Sequence, residues 1–447
     1  MSRDVPRAEM TSVQDYLDRE TRSVPLVLRQ QSERDLGTDD VPVWHYLSPE
    51  RHRLEVDKLW GRVWQWACNE EDIPEVGDHV VYDIAHHSLI VVRTAPDTVK
   101  AFHNACLHRG TQLRDEGGRV GLFACPFHGW AWNLDGSLRR IPCRWDFPQV
   151  RDEDLSLPEA RVDTWAGFVF VNLDPACEPL EAFLENIPEH FEHFFRTPRF
   201  TAVHVSKVMP ANWKVVLEAF VESYHVIATH PQILDYTADA NTQYDVYGSH
   251  SRMITPFGVP SPHLGVVDEQ RVAASMAGFA GFDPSKWDLA EWGTARSAVA
   301  EHNRQAFGMM TGVDYTEYTD AEMVDAIEYF VFPNFMPWGG VGAPIMYRFR
   351  PNGNDVDSCI MDVRLMPPRP PGVAIPAAPV QRLSADQRWT DAENLGGLGA
   401  IFEQDTSNLG RIQRGLEATR KEGVTLASYQ ESRIRHFHQT LDRWLET

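Results

Sequence analysis

Apolar and polar positions change rhythm several times along the chain. Between about residues 75 and 175, short apolar runs alternate with Gly, Pro, Asp and Asn: HVVYDI (79–84), SLIVVRT (88–94), VKAFHN (99–104), GLFAC (121–125), AWNLDG (131–136) and GFVFVNLD (167–174). Closely spaced runs with turn signals predict a small antiparallel β domain. From Asn212 to Ile233 the rhythm lengthens: Val215, Val216, Ala219 and Phe220 recur at helical spacing and predict one helix over the segment. Strand-like text returns at 329–367, where YFVFPNFMPW precedes two runs split by the turn cluster Pro351–Asn354, a hairpin signal. The aromatic run there reads as sheet core. Leu426, Tyr429, Ile434, Phe437, Leu441 and Trp444 predict the buried face of an amphipathic helix over 426–445. Residues 11–45 read as a helix followed by a polar linker. The pattern predicts an α+β protein with an N-terminal segment (1–45) that belongs to the larger unit. A small all-β domain (46–170) and a larger α+β domain (171–447) follow.

Composition narrows the classes. A chain of 447 residues that is 43% hydrophobic can fill more than one ordinary core. A net charge of -22 argues against nucleic-acid binding. No stretch approaches the ~18 consecutive apolar residues of a membrane span. The first residues, MSRDVPRAEM, lack the apolar core of a signal peptide, so a soluble cytoplasmic protein is expected. Six cysteines in such a length do not make a disulfide scaffold. Cys68, Cys143, Cys177 and Cys359 have no histidine partner nearby and read as buried thiols.

Two cysteines do have histidine partners. CLHRG (106–110) carries Cys106 and His108, and CPFHGW (125–130) carries Cys125 and His128. Two thiolates and two imidazoles on facing loops suit tetrahedral zinc. They equally suit a [2Fe–2S] cluster with both thiolates on one iron and both imidazoles on the other. Zinc fingers pair Cys with Cys and His with His, whereas here each pair mixes the two, which favours the cluster. A second set lies in ANWKVVLEAFVESYHVIATHP (211–231). Glu218, Glu222 and His225 fall at i, i+4 and i+7, on one face of the predicted helix. Two carboxylates and an imidazole among Val, Leu and Phe are costly to bury without a partner. His230 would point ~140° away from His225 on a regular helix. Pro231 biases the residue before it out of the helical region, so His230 can turn back at a helix end.

NACLHRG and CPFHGWAWNLDG resemble the two cluster loops of Rieske oxygenases, and 211–231 resembles the iron-binding helix of the Rieske non-heme iron oxygenases. The chain as a whole resembles the catalytic α subunit of the aromatic ring-hydroxylating type. That resemblance implies a Rieske domain followed by a helix-grip catalytic domain with an antiparallel sheet. It makes Cys106, His108, Cys125 and His128 the cluster ligands. Gly110 and Gly129 let the backbone pass close to the cluster, and Trp130 shields it. It makes His225 and His230 ligands of a mononuclear Fe(II). AIFEQDTSNLGRIQRGLEA (400–418) resembles the segment that supplies the carboxylate. Glu403 and Asp405 are both candidates, and Asp405 is preferred for its place before Gln413-Arg414-Gly415; it also reads as a helix N-cap. Glu222 takes the place of the acid that bridges to the cluster of a neighbouring subunit, more often Asp in the family. Glu at this place occurs in branches that include quaternary-ammonium demethylases.

The resemblance further implies a terminal oxygenase of aromatic hydrocarbon catabolism, fed with NAD(P)H-derived electrons by a separate reductase, directly or through a ferredoxin. Its products would be cis-dihydrodiols or monohydroxylated compounds from a hydrophobic aromatic or polycyclic substrate. A monooxygenase or demethylase acting on a quaternary amine or alkyl ether is the alternative. A homotrimer is expected, with or without small β subunits. Between Cys106 and Arg144, six arginines (109, 114, 119, 139, 140, 144) face three acids (115, 116, 135). Such an island would either dock an acidic redox partner or make ordinary ion pairs. His86, His87 and His103 read as surface or structural residues rather than ligands. A cluster-only electron carrier and a zinc-stabilised structural protein are the competing classes.

Overall fold

The computed structural model describes residues 11–32, 35–280, 283, 287 and 289–446. The first ten residues of the N-terminal segment lie outside the described residues. Two units result, one of residues 52–185 with the short segment 351–355, and a larger one built from the chain up to Arg51 with 186–350 and 356–446.

The smaller unit is all-β in its framework. Its strands are β1 (Gln65–Asn69), β2 (Asp78–Ile84), β3 (His87–Ala95), β4 (Thr98–His103), β5 (Gly118–Arg119), β6 (Phe123–Ala124), β7 (Ala131–Trp132), β8 (Leu138–Arg140), β9 (Glu159–Trp165) and β10 (Phe168–Asn172). Seven form one sheet in the order β1-β10-β9-β4-β3-β2-β5, and β6-β7-β8 form a second. β10 is buried at every position and β3 along its middle, which is why LIVV and FVFV read as continuous apolar runs rather than alternating ones. Ile90, Val92, Phe102, Phe123 and Trp132 form a core that also takes in Cys106 and Cys125. Both thiols thus sit at the edge of a packed interior.

The larger unit carries an eight-stranded sheet. Its strands are β11 (Val203–Met209), β12 (Gln243–Tyr247), β13 (His250–Thr255), β14 (Ala326–Phe330), β15 (Phe335–Gly339), β16 (Ile345–Asn352), β17 (Asp355–Leu365) and β18 (Gln381–Leu383). Their order is β12-β13-β14-β15-β16-β17-β11-β18. The β11–β18 pair is parallel. The hairpin expected at Pro351–Asn354 forms between β16 and β17, with Gly353 at φ +59° in the turn. Tyr329, Phe330, Phe332 and Phe335 are fully buried, as the core reading requires.

Several helices depart from the expected lengths. Among the described residues the N-terminal segment has no long helix. It carries α1 (Val13–Leu17), closed by a Ser12–Asp15 capping box, and α2 (Leu26–Arg29), which follows Pro25. The helix expected over 212–233 is interrupted. α3 (Trp213–Glu218) stops at Ala219, and α4 (Val226–Thr229) follows after a non-helical stretch. Tertiary partners cause the break by claiming groups a helix would use. The Val221 carbonyl accepts from Arg433 Nη1 at 3.2 Å. The Ser223 amide donates to the Tyr244 hydroxyl at 3.1 Å, and Ser223 Oγ donates to the Asp239 carbonyl at 3.0 Å. After α5 (Gly397–Ser407) and α6 (Leu409–Ala418), the last helix, α7 (Ser432–Glu446), begins six residues later than expected. Leu426 and Tyr429 precede it, while Ile434, Phe437 and Leu441 form its buried face. Phe437 packs on Trp213 and Phe330, so α7 lies across the sheet. Of the four cysteines read as buried thiols, Cys68 and Cys359 are buried. Cys177 is half-buried, and Cys143 is exposed in a turn at φ +52°. No helix among the described residues is long and apolar enough to cross a membrane.

Candidate metal centres

The two Cys–His segments fold into loops with one hydrogen-bond pattern. In the first, the Gly110 amide donates to the Cys106 carbonyl at 2.9 Å and the Cys106 amide to the Thr111 carbonyl at 2.8 Å. In the second, Gly129 donates to Cys125 at 3.0 Å and Cys125 to Trp130 at 2.8 Å. Closing so tight a turn needs a left-handed residue in its fifth place; Gly110 stands there at φ +76° and Gly129 at φ +74°. Space is not the reason at Gly110, because nothing lies within 4 Å of where a Cβ would sit.

The loops bring the four candidate ligands together. The thiols of Cys106 and Cys125 are within hydrogen-bonding reach of each other. The imidazoles of His108 and His128 meet edge to face, centroids 4.7 Å apart. Trp130 stacks on His108 at 5.0 Å and covers it. Two observations fit a bound cluster. His108 Nδ1 is buried and has no hydrogen-bond partner, so the site leaves a ligand atom waiting. The sulfurs are also met by donors: the His108 and Arg109 amides point at Cys106, and the His128 and Phe127 amides at Cys125. Burial pushes the Cys106 thiol up, while at Cys125 the amides outweigh burial and hold the thiol down. Desolvation and then the Arg109 charge hold His128 below its usual range. Arg109 Nη2 lies 3.0 Å from His128 Nε2, which accepts, so the neutral ring carries its proton on Nδ1, and a metal there would displace that proton.

The arginine island divides. Arg119 pairs with Asp78 at 2.7 Å, Arg144 with Asp152 at 2.9 Å, and Arg114 donates to His79 at 3.0 Å. Arg139 and Arg140 are exposed, as is Arg109, which lies over the exposed Phe127 ring at 4.6 Å.

The second centre is assembled from distant segments. His225 precedes α4 and His230 follows it at φ -126°, ψ 54°, outside the helical region as Pro231 demands. Asp405 sits in the last turn of α5 rather than at an N-cap. His225, His230 and Asp405 each offer one ligand atom, all within 4.8 Å of one another. Both Nε2 atoms face the same carboxylate oxygen: Asp405 Oδ1 is 2.5 Å from His230 Nε2 and 3.4 Å from His225 Nε2. Burial pushes His225 down, but the Glu222 charge and the bonds to Asp405 and Glu222 carry it up to about 10. Burial pushes Asp405 up, and the two imidazoles reverse this and hold it low. Two imidazoles and one carboxylate converging on a point fit a 2-His-1-carboxylate metal site. Glu403, the other candidate, points elsewhere: its Oε2 accepts from the Trp389 amide at 2.8 Å.

The stripe expected from Glu218, Glu222 and His225 does not form, because the helix ends between the first two. Glu222 instead turns onto His225, with Oε1 2.6 Å from Nδ1 and Oε2 accepting the His225 amide at 3.0 Å. Glu218 lies in a separate buried group, 2.7 Å from His438 Nε2 and 3.2 Å from the Tyr46 hydroxyl. Burial pushes Glu218 up to about 8, against the Tyr46 hydrogen bond and the Lys214 charge. Sequence reasoning missed Tyr46, His438 and Arg433, and also Gln404, whose Oε1 lies 3.0 Å from His230 Nδ1. Phe220 packs on Tyr347 at 5.1 Å and Tyr347 on Phe402 at 5.9 Å. Burial and then the charges of Glu328 and Asp405 hold the Tyr347 phenol well above its usual range.

Comparison with known proteins agrees with both halves. The family model described as Rieske [2Fe-2S] domain matches residues 63–151, and the one described as ring hydroxylating alpha subunit (catalytic domain) matches residues 196–447. The chain is 32% identical over 191 residues to the biphenyl 2,3-dioxygenase subunit alpha of Rhodococcus jostii (strain RHA1), covering 41% of this chain and 42% of that one. It is 28% identical over 233 residues to the carnitine monooxygenase oxygenase subunit of Escherichia coli (strain K12), covering 50% and 59%. The chain thus spans about half the length of these curated relatives. A solved quaternary ammonium Rieske monooxygenase in complex with L-carnitine superposes with a TM-score of 0.65 at 16% identity, over 93% of this chain and 99% of that one. Naphthalene 1,2-dioxygenase with indole bound gives 0.63 at 18% identity, over 93% of each chain. At these identities the likeness to the solved structures is one of fold.

Proposed function

The chain belongs to the ring hydroxylating alpha subunit family, and from that premise we propose that it is the terminal component of a Rieske non-heme iron oxygenase system. It would receive electrons from a separate NAD(P)H-dependent reductase, directly or through a ferredoxin. It would use O2 to cis-dihydroxylate or monohydroxylate a hydrophobic, aromatic or polycyclic substrate. When bound, the cluster supplies electrons and the mononuclear iron supplies open positions for dioxygen and its reduction.

The chain's own residues have definite tasks in this reading. Cys106 and Cys125 would hold one iron of the cluster, and His108 and His128 the other. His225, His230 and Asp405 would hold the mononuclear iron. Glu222 would hold the Nδ1 proton of His225, so that Nε2, the nitrogen on the Asp405 side, is the one a metal would take. Glu222 would also be the bridge between centres of adjacent copies in a homotrimer, with or without small β subunits. Phe220, Tyr347 and Phe402 would supply apolar lining on the Asp405 side of the site. The exposed arginines near the cluster, Arg109, Arg139 and Arg140, would meet an acidic donor.

The observation that carries the proposal is the convergence of both Nε2 atoms on Asp405 in a chain that also matches a Rieske domain. A second reading, a monooxygenase or demethylase acting on a quaternary amine or alkyl ether, is favoured by Glu at position 222. Turnover with a surrogate reductase and a panel of aromatic, polycyclic and quaternary-amine compounds, with products identified by mass, separates the readings. Diols or phenols support the first, and a dealkylated amine or alcohol together with the aldehyde of the lost group supports the second. A cluster that reduces while no panel member is oxidised counts against both. Iron should fall from about three to about two per chain in His225→Ala with the cluster spectrum intact; an unchanged iron content would sink the site assignment.

A further inference from the structure

His230 is held from both sides of its ring. Nε2 faces Asp405 Oδ1 at 2.5 Å, and Nδ1 lies 3.0 Å from Gln404 Oε1. Gln404 and Asp405 are neighbours on α5, so one helical turn supplies a candidate ligand and the acceptor behind another. The Gln404 amide is itself pinned. Gln232 Nε2 donates to the same Oε1 at 2.6 Å, and Gln404 Nε2 reaches back to Gln232 Oε1 at 3.5 Å. Gln232 stands two residues past His230, just beyond Pro231.

A carboxamide has an accepting end and a donating end, and which end meets His230 decides the tautomer. With Oε1 inward, Nδ1 keeps a proton, and Nε2 is the nitrogen whose lone pair a metal takes when it displaces the hydrogen bond to Asp405. With the amide turned over, the NH2 group would meet Nδ1 and drive the proton to Nε2, the nitrogen that faces Asp405. We infer that Gln404, pinned by Gln232, is a positioning residue that keeps His230 in the tautomer able to bind metal. It does so as a neutral acceptor. His225 has a charged one, Glu222, at the shorter distance of 2.6 Å. A carboxylate behind an imidazole raises its basicity more than an amide does, so the two histidines are unequal donors. The inference rests on His225, His230 and Asp405 being metal ligands.

Co(II) titrated into iron-depleted protein that retains its cluster tests this without turnover, because both affinity and ligand-field bands are read. Gln404→Leu should weaken Co(II) binding about 10- to 100-fold. Gln404→Glu should bind at least as tightly as the unaltered protein and shift the bands, because both imidazoles would then have charged partners. Gln232→Leu should fall between. The inference is overturned if Gln404→Leu binds like the unaltered protein, or if Gln404→Glu binds as weakly as Gln404→Leu. If Gln404→Leu fails to fold, Gln404→Glu and Gln232→Leu against the unaltered protein still decide it. If the unaltered protein takes up no Co(II), or His225→Ala takes it up equally well, the ligand assignment fails first, and the inference with it.

Discussion

The first centre draws its four candidate ligands from two five-residue loops, Cys106–Gly110 and Cys125–Gly129, each closed by hydrogen bonds to its own ends. The second draws on α5 and on both ends of α4, and the stretch before His225 is held by groups from β12 and α7. In the first, local backbone geometry presents the side chains. In the second, geometry exists only once the larger unit has folded. Damage should therefore stay local in one case and spread in the other.

The largest effect is expected from Cys125→Ser. The visible absorbance of the cluster should vanish, and with it all turnover, while Co(II) uptake at the second centre survives. Loss of uptake there would show that the two centres do not form independently. Glu222→Gln should leave the cluster spectrum normal and cut turnover by roughly 10- to 100-fold or more, because it removes the charged acceptor behind His225. Unchanged turnover would refute the role of Glu222. Tyr244→Phe strips the partner from the buried Ser223 amide and should cost about 1–3 kcal/mol of stability. If that stretch is set from afar, Co(II) affinity should weaken in the same variant. A stability loss with unaltered affinity would place the control elsewhere.

The smallest effect concerns pH. Glu218 is raised to about 8 in the folded chain, above its unfolded value of 4.5. The folded state therefore holds the proton more tightly. The contribution to stability is complete below pH 4.5 and is lost as pH rises through about 8. Glu218→Gln should reduce the fall in Tm between pH 6 and pH 9. An equal fall in both proteins would show that Tyr46, His438 and Lys214 neutralise the group.

The same contrast decides what could be read from the sequence. Cys106, His108, Cys125 and His128 were legible because spacing within five residues sets their geometry. His230 was legible because Pro231 acts on its immediate neighbour. The Glu218–Glu222–His225 stripe was misread, although its hydrophobic period is sound. Arg433 stands 212 residues from Val221, and no local period can report a bond over that distance. Asp405 was found by its surroundings, but Gln404 beside it gave no signal; an amide reads as solvated surface until His230 and Gln232 are placed against it. The start of α7 and the short N-terminal helices were missed for a simpler reason: Leu426 and Tyr429 are apolar because they pack, whether or not they are helical.

The paired loops have one further consequence. They share a hydrogen-bond pattern and the fifth-place glycine, yet one carries its imidazole in the third slot and the other in the fourth. The backbone is thus a socket that does not register which slot is filled. Such a part is interchangeable: side chains in the middle slots can be exchanged without redrawing the loop. Thiols in place of both histidines would inherit a finished mount, and the step from a high-potential to a low-potential cluster would cost two substitutions and no new architecture.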